Sequence, residues 1–131
     1  MNKYRVAPVE ERTISFTIHG KLVSAKNRKI QTRRGGVFKN PEVVRYEKDF
    51  PFQVPPEYRN LRLGSLTQPL RAKIHVFYPS RRSDLDCALV YDCLQTAGVI
   101  ANDRYITEKH EYGLVDRRNP RVEIELEEMA L

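Results

Sequence analysis

Residues 121–127, RVEIELE, alternate apolar and charged side chains without a break. The β-strand is the regular structure with a period of two. Val122, Ile124 and Leu126 therefore face one side and Arg121, Glu123, Glu125 and Glu127 the other. Two more segments repeat the pattern. TISFTIH, residues 13–19, places Ile14, Phe16 and Ile18 together, and AKIHVFY, residues 72–78, places Ala72, Ile74, Val76 and Tyr78 together. Three such strands need a common apolar cover, which helices laid over one face of a sheet supply.

Two segments carry helical patterns. Asn40-Pro41 suits an N-cap followed by a first helical proline, and Val43, Tyr46, Glu47 and Phe50 then form a mostly apolar stripe. Pro51, Pro55 and Pro56 break that pattern, so residues 51–70 are expected to form an irregular connection with a short helical turn at best. Residues 87–97 show a wide apolar face of Ala88, Leu89, Val90, Cys93, Leu94 and Ala97, with Gly98 placed to end the helix. Residues 104–112 are weakly strand-like. The order is roughly β, loop, α, β, α, β, β. It predicts an α+β fold of two layers, a small mixed β-sheet with helices packed on one face, in one domain over residues 1–131.

The charge is unevenly placed. The chain carries a net +6 at a pI near 9.5 and is 31% charged, which favours an acidic partner such as nucleic acid. From Lys21 to Lys39 there are seven Lys or Arg residues and no acid, whereas Glu123 to Leu131 holds four glutamates and no base. The segment KLVSAKNRKIQTRRGGVFK is expected to be a polar, basic loop turning at Gly35-Gly36. Its Lys26, Arg28, Lys29, Arg33, Arg34 and Lys39 are candidate phosphate contacts. Phe38 is a candidate for stacking on bases or, more ordinarily, for core or interface packing.

Cys87 and Cys93 are the two cysteines. Six residues apart on a helix they point about 240° apart and cannot bridge within it, so they read as core residues of a reducing compartment. No apolar run approaches the roughly 20 residues of a membrane span, and MNKYRVAPVEER lacks the apolar centre of a signal peptide. A cytoplasmic protein is expected. His19, His75 and His110 lack metal-ligand spacing. The sequence shows no glycine-rich nucleotide loop, zinc pattern or serine-nucleophile motif.

The stretch RRSDLDCALVYDCL, residues 81–94, crowds bases and acids between a strand and a helix. One reading is a capping box, with Ser83 capping the helix and Asp86 reaching back to it. The other is a metal site. In extended chain, residues i and i+2 share a face about 6.6–7 Å apart, so Asp84 and Asp86 can converge on one hard cation. Asp103, between the helix and the next strand, is a third candidate ligand, if a crossover returns it beside a neighbouring strand. Its alternative is an exposed turn aspartate. Arg81, Arg82 and Arg104 flank these acids, as phosphate contacts or as solvated loop residues.

In this region the chain resembles the RusA-type Holliday junction resolvases. Asp84-Leu85-Asp86, Asp92-Cys93-Leu94, Gly98, Asn102-Asp103 and Ile106 stand in the roles of that family's signature, and FTIHGKLVSAKNR resembles its first strand and basic loop. The resemblance implies a Mg2+ site, with Mn2+ as substitute, carried by Asp84, Asp86 and Asp103. It also implies a homodimer that binds a four-way DNA junction and nicks two symmetrical strands. The chain departs from the family where Cys87 replaces an asparagine, Asn102 replaces the first acid of a pair, and the helix lacks a lysine about a turn after Asp86; Val90 lies there instead. Arg81, Arg82 or Arg104 could supply that charge. The alternative function is a nucleic-acid-binding protein of the same fold with weakened or lost catalysis.

Overall fold

The computed structural model describes residues 11–130; the segment where no signal-peptide core is expected lies largely outside them. The elements are β1 (Thr13–His19), β2 (Lys29–Gln31), β3 (Val37–Lys39), α1 (Pro41–Gln53), β4 (Leu70–Tyr78), α2 (Ala88–Thr96), β5 (Ile106–Val115) and β6 (Arg121–Glu128). The three alternating segments form the sheet, in the order β1-β6-β4-β5. β6 lies antiparallel to both β1 and β4, and β4 lies parallel to β5.

Register makes the inner face continuous. Ile14, Leu126 and Ala72 form one row across three strands, Phe16, Ile124 and Ile74 the next, and Ile18, Val122 and Val76 the third. The apolar stripes of α1 (Val43, Tyr46, Phe50) and α2 (Leu89, Val90, Cys93, Leu94) join the same buried cluster. The expected two-layer α+β arrangement is present. Cys87 and Cys93 are both buried in that core and unpaired.

The outer face explains the acidic C-terminal strand. Glu123, Glu125 and Glu127 stand opposite His75, Lys73 and Arg71 of β4. Arg71 binds Glu127 at 3.1 Å and Glu108 at 2.9 Å, so the glutamates meet cross-strand bases.

Three expectations change. The basic loop is a β-hairpin: β2 pairs antiparallel with β3 around a Thr32–Gly36 turn, in which Gly35 takes a left-handed φ of +83°. The helix does not stop before Pro51 but runs on to Gln53. A proline in the last turn removes one backbone donor, while buried Phe50 and Val54 hold that turn on the core. Gln53 also binds the β1 backbone at His19, accepting its N–H at 2.7 Å and donating to its carbonyl at 2.9 Å. Finally, residues 51–70 are not wholly irregular. Leu63 bridges Ile100, and Gly98 ends α2 with φ +75° directly against Asn60.

Candidate metal centre and nucleic-acid interface

The Asp84-Leu85-Asp86 segment follows the end of β4 and precedes α2. The buried Tyr78 closes β4, and its hydroxyl donates to the Asp84 carbonyl at 3.1 Å and accepts the Asp86 N–H at 3.3 Å. One side chain therefore fixes the backbone of both acids. Asp84 is exposed, and its carboxylate accepts no hydrogen bond from the described residues.

Asp86 is half-buried and well bound. Its Oδ2 accepts the Ser24 hydroxyl at 2.8 Å and the Ala25 N–H at 3.1 Å, and its Oδ1 accepts the Ala88 N–H at 3.1 Å. Burial pushes this carboxyl up, but those donors and the charge of Lys26 outweigh it and hold the group below the usual carboxylate range. Asp86 is therefore an anion at neutral pH with acceptor capacity left on Oδ1. The capping box does not form as expected. α2 begins at Ala88 with Cys87 as its N-cap, Ser83 bonds nothing there, and Asp86 serves the first helical N–H.

These donors fit a hard divalent cation. Mg2+ is held by one or two carboxylates together with water and substrate phosphate, and Asp84 and Asp86 offer oxygens of that kind from a loop braced by Tyr78. A cleft of about 330 Å³ opens beside Asp84, lined also by Lys21, Ser24, Lys26, Glu42, Tyr78 and Arg82.

Asp103 is elsewhere. In the parallel pair, Leu70 lies beside Ile106 at one end of the sheet and Tyr78 beside Val115 at the other. Asp103 precedes Ile106, so it sits at the start of β4, whereas Asp84 and Asp86 sit beyond its finish. Eight residue steps at about 3.3 Å separate those ends by roughly 26 Å. The crossover does make β5 a neighbour of β4, but a parallel connection returns to the edge where the first strand began. Within one chain the three aspartates are not brought together, and no group of three or more His, Cys, Asp or Glu among the described residues is arranged to hold a metal. Asp103 opens a short 3-10 turn, with its N–H on Gln95 Oε1 at 3.0 Å and Asn102 capping Arg104.

The bases divide into four sets. Lys29, Arg33 and Arg34 project from the hairpin, exposed and without ion-pair partners among the described residues. Arg28 and Lys39 hold the hairpin's root: Arg28 is ion-paired with Asp92 of α2, which raises its pKa, and Lys39 binds Glu47 of α1 at 2.9 Å. Their partners make them tethers first. Lys26 and Arg82 line the Asp84 cleft, and Arg81 lines the neighbouring groove beside Leu85, Leu114 and Val115. Arg104 packs over Tyr105 beside Asp103, far from Asp84. Phe38 is 45% exposed, opposite Ile30 on the hairpin, and is not core.

The chain is 29% identical over 98 residues to the crossover junction endodeoxyribonuclease RusA of Aquifex aeolicus (strain VF5). The likeness covers 72% of this chain and 75% of that relative. It is a distant similarity. No family model matches the chain.

Two parts of the site were not singled out from sequence. Ser24 lies 62 residues before the aspartate it binds, and no local pattern links them. Tyr78 reads as one more inward residue of β4, and only its hydroxyl reveals a second task. Val90 is fully buried, so no cation at that position could reach the carboxylates without leaving the core.

Proposed function

We propose that this protein is a Mg2+-dependent endodeoxyribonuclease that resolves four-way DNA junctions by paired symmetrical nicks, as a cytoplasmic homodimer of single-domain chains. The observation that carries the reading is the Asp84–Asp86 pair, pinned by Tyr78 and Ser24, with Asp84 on a cleft rimmed by bases and Asp86 bound to Ser24 at its wall. The distant likeness to a RusA crossover junction endodeoxyribonuclease supports the choice of substrate.

Asp84 and Asp86 would hold the cation, which supplies Lewis acidity and activates water for attack on phosphorus. Asp86 stays ionised through its donors, and the Tyr78 contacts keep the two acids in place. The cleft orients a phosphodiester, and Lys29, Arg33 and Arg34 hold the flanking backbone. The water oxygen bonds to phosphorus and one P–O ester bond breaks. Of the water's two protons, one remains on the new phosphate and one ends on the departing alcohol.

The homodimer answers the position of Asp103. Among the described residues β5 is an edge strand paired only with β4, and Tyr112, Leu114 and Val115 at its finish, with Leu85 beside it, are exposed. A two-fold axis beside β5 runs two copies of that strand antiparallel and sets the start of one against the finish of the other. The partner's Asp103 then approaches Asp84 and Asp86. Each site draws a pair from one chain and a single acid from the other, and two identical sites face two symmetrical strands.

The alternative, a junction-binding protein with weakened catalysis, is favoured by the missing helix cation. Incubating the protein with a four-way junction and Mg2+ decides: paired nicks abolished by chelator support the enzyme, and tight binding without nicks supports the alternative.

A further inference from the structure

We propose that Lys26 is the cationic group that faces the scissile phosphate, a role distinct from the backbone grip of the hairpin. The proposal rests on the endonuclease reading above and names a further residue for it.

Lys26 occupies the middle of a one-turn 3-10 helix, Ala25–Asn27. That turn is built on the site itself. Ser24 and Ala25 both donate to Asp86 Oδ2, and the Lys26 N–H donates to the same Ser24 hydroxyl at 3.2 Å. The Lys26 backbone is thus one shared oxygen away from the carboxylate. Its side chain lines the cleft that Asp84 lines and forms no ion pair among the described residues. Its charge already acts on Asp86.

The other bases are placed less well for this task. Arg28 and Lys39 are occupied by Asp92 and Glu47. Arg104 stands at the far end of the sheet in its own chain, and where the proposed dimer brings it in with Asp103 its guanidinium is engaged by Tyr105, whose ring it covers and whose hydroxyl it meets at 2.9 Å. Lys21 and Arg82 share the cleft, but among the described residues neither hydrogen-bonds to Ser24 or Asp86. The ammonium extends from a backbone whose N–H is held by the Ser24 hydroxyl that also donates to Asp86, and so it stands on the cleft beside a phosphate oriented at Asp84 and Asp86. It neutralises charge that grows on the non-bridging oxygens as the water oxygen bonds to phosphorus. A donor to charge that develops at such a place is worth about 10²–10³ in rate.

The test is single-turnover cleavage of a four-way junction in Mg2+ at saturating protein, with junction affinity measured separately in Ca2+. Lys26→Ala should lower the cleavage rate about 100-fold or more, while the dissociation constant changes only by the modest factor of one lost phosphate contact. Lys26→Cys should be equally slow and should regain rate after aminoethylation, which restores an ammonium; Cys87 and Cys93 are buried and shielded from the reagent. A Lys26→Ala rate equal to wild type overturns the proposal, as does a defect confined to affinity. A wild-type protein that binds junctions without cutting them overturns the endonuclease reading itself, and this role with it.

Discussion

Ser24 donates its hydroxyl to Asp86 at 2.8 Å, joining the connection after β1 to the loop before α2 across 62 residues of chain. The bond ties the root of the basic hairpin to a candidate metal ligand. It fixes a carboxylate that would otherwise rotate, and it leaves room on Oδ1. Under the proposed function, DNA gripped by the hairpin would be held in a fixed relation to the aspartates.

Removal of that hydroxyl has a signed consequence. Asp86 has a depressed pKa in the fold, so its stabilising contribution is present above its unfolded value and is lost as pH falls through the folded one. Ser24→Ala takes away a donor to the ionised form, so the Asp86 pKa should rise. The acidic limb of a pH–rate profile should move to higher pH, and stability at neutral pH should fall by about 1 kcal/mol. Parallel cleavage profiles and denaturant titrations check both; an unmoved limb would detach Asp86 from the rate.

The separation of Asp103 from Asp84 predicts complementation. Asp84→Asn, Asp86→Asn and Asp103→Asn should each abolish cleavage, with junction binding kept or tightened as negative charge leaves the phosphate path. A chain carrying Asp84→Asn and Asp86→Asn, mixed with a chain carrying Asp103→Asn, should regain activity. The mixed dimer holds one complete site, so the product should be single nicks, not pairs. Inactive mixtures whose mixed dimers are shown to form would mean that Asp103 does not serve a partner's site.

The hairpin separates binding from folding. Neutralising Lys29, Arg33 and Arg34 together should weaken binding to all DNA forms. Each lost phosphate contact should lower the slope of log K against log salt by about 0.9 on duplex DNA. Stability should barely change, because exposed charges contribute little. Arg28→Ala should behave differently and reduce stability, since it strands Asp92 and frees the hairpin root. Affinity across a salt series and thermal melts of the same variants give the comparison.

Gly98→Ala tests the turn that carries the chain from α2 toward Asp103. A Cβ there would lie 2.9 Å from Asn60 Oδ1 and 3.2 Å from the Asn60 backbone, at a φ of +75° that suits glycine. Destabilisation of about 1–3 kcal/mol is expected from denaturant melts.

Much of the fold was readable along the chain, because half-buried strands and helices impose their own periods. RVEIELE, TISFTIH and AKIHVFY became β6, β1 and β4 with the predicted faces inward. Asn40 and Gly98 became the helix cap and stop their chemistry predicts. Asp84 and Asp86 could be singled out because two residues apart in extended chain is a local relation. Pro51 in α1 and the weak hairpin pattern could not be, since packing by Phe50 and tethers to Glu47 and Asp92 decide them. The Asp86–Ser24 bond, the Tyr78 bracket and the distant place of Asp103 are relations between segments far apart in sequence. Strand direction settled the last of these: β4 and β5 run parallel, so Asp103 returns to the opposite end of the sheet from Asp84. Periodicity specifies which face a residue takes, but only the pairing of strands decides which end of the sheet it reaches.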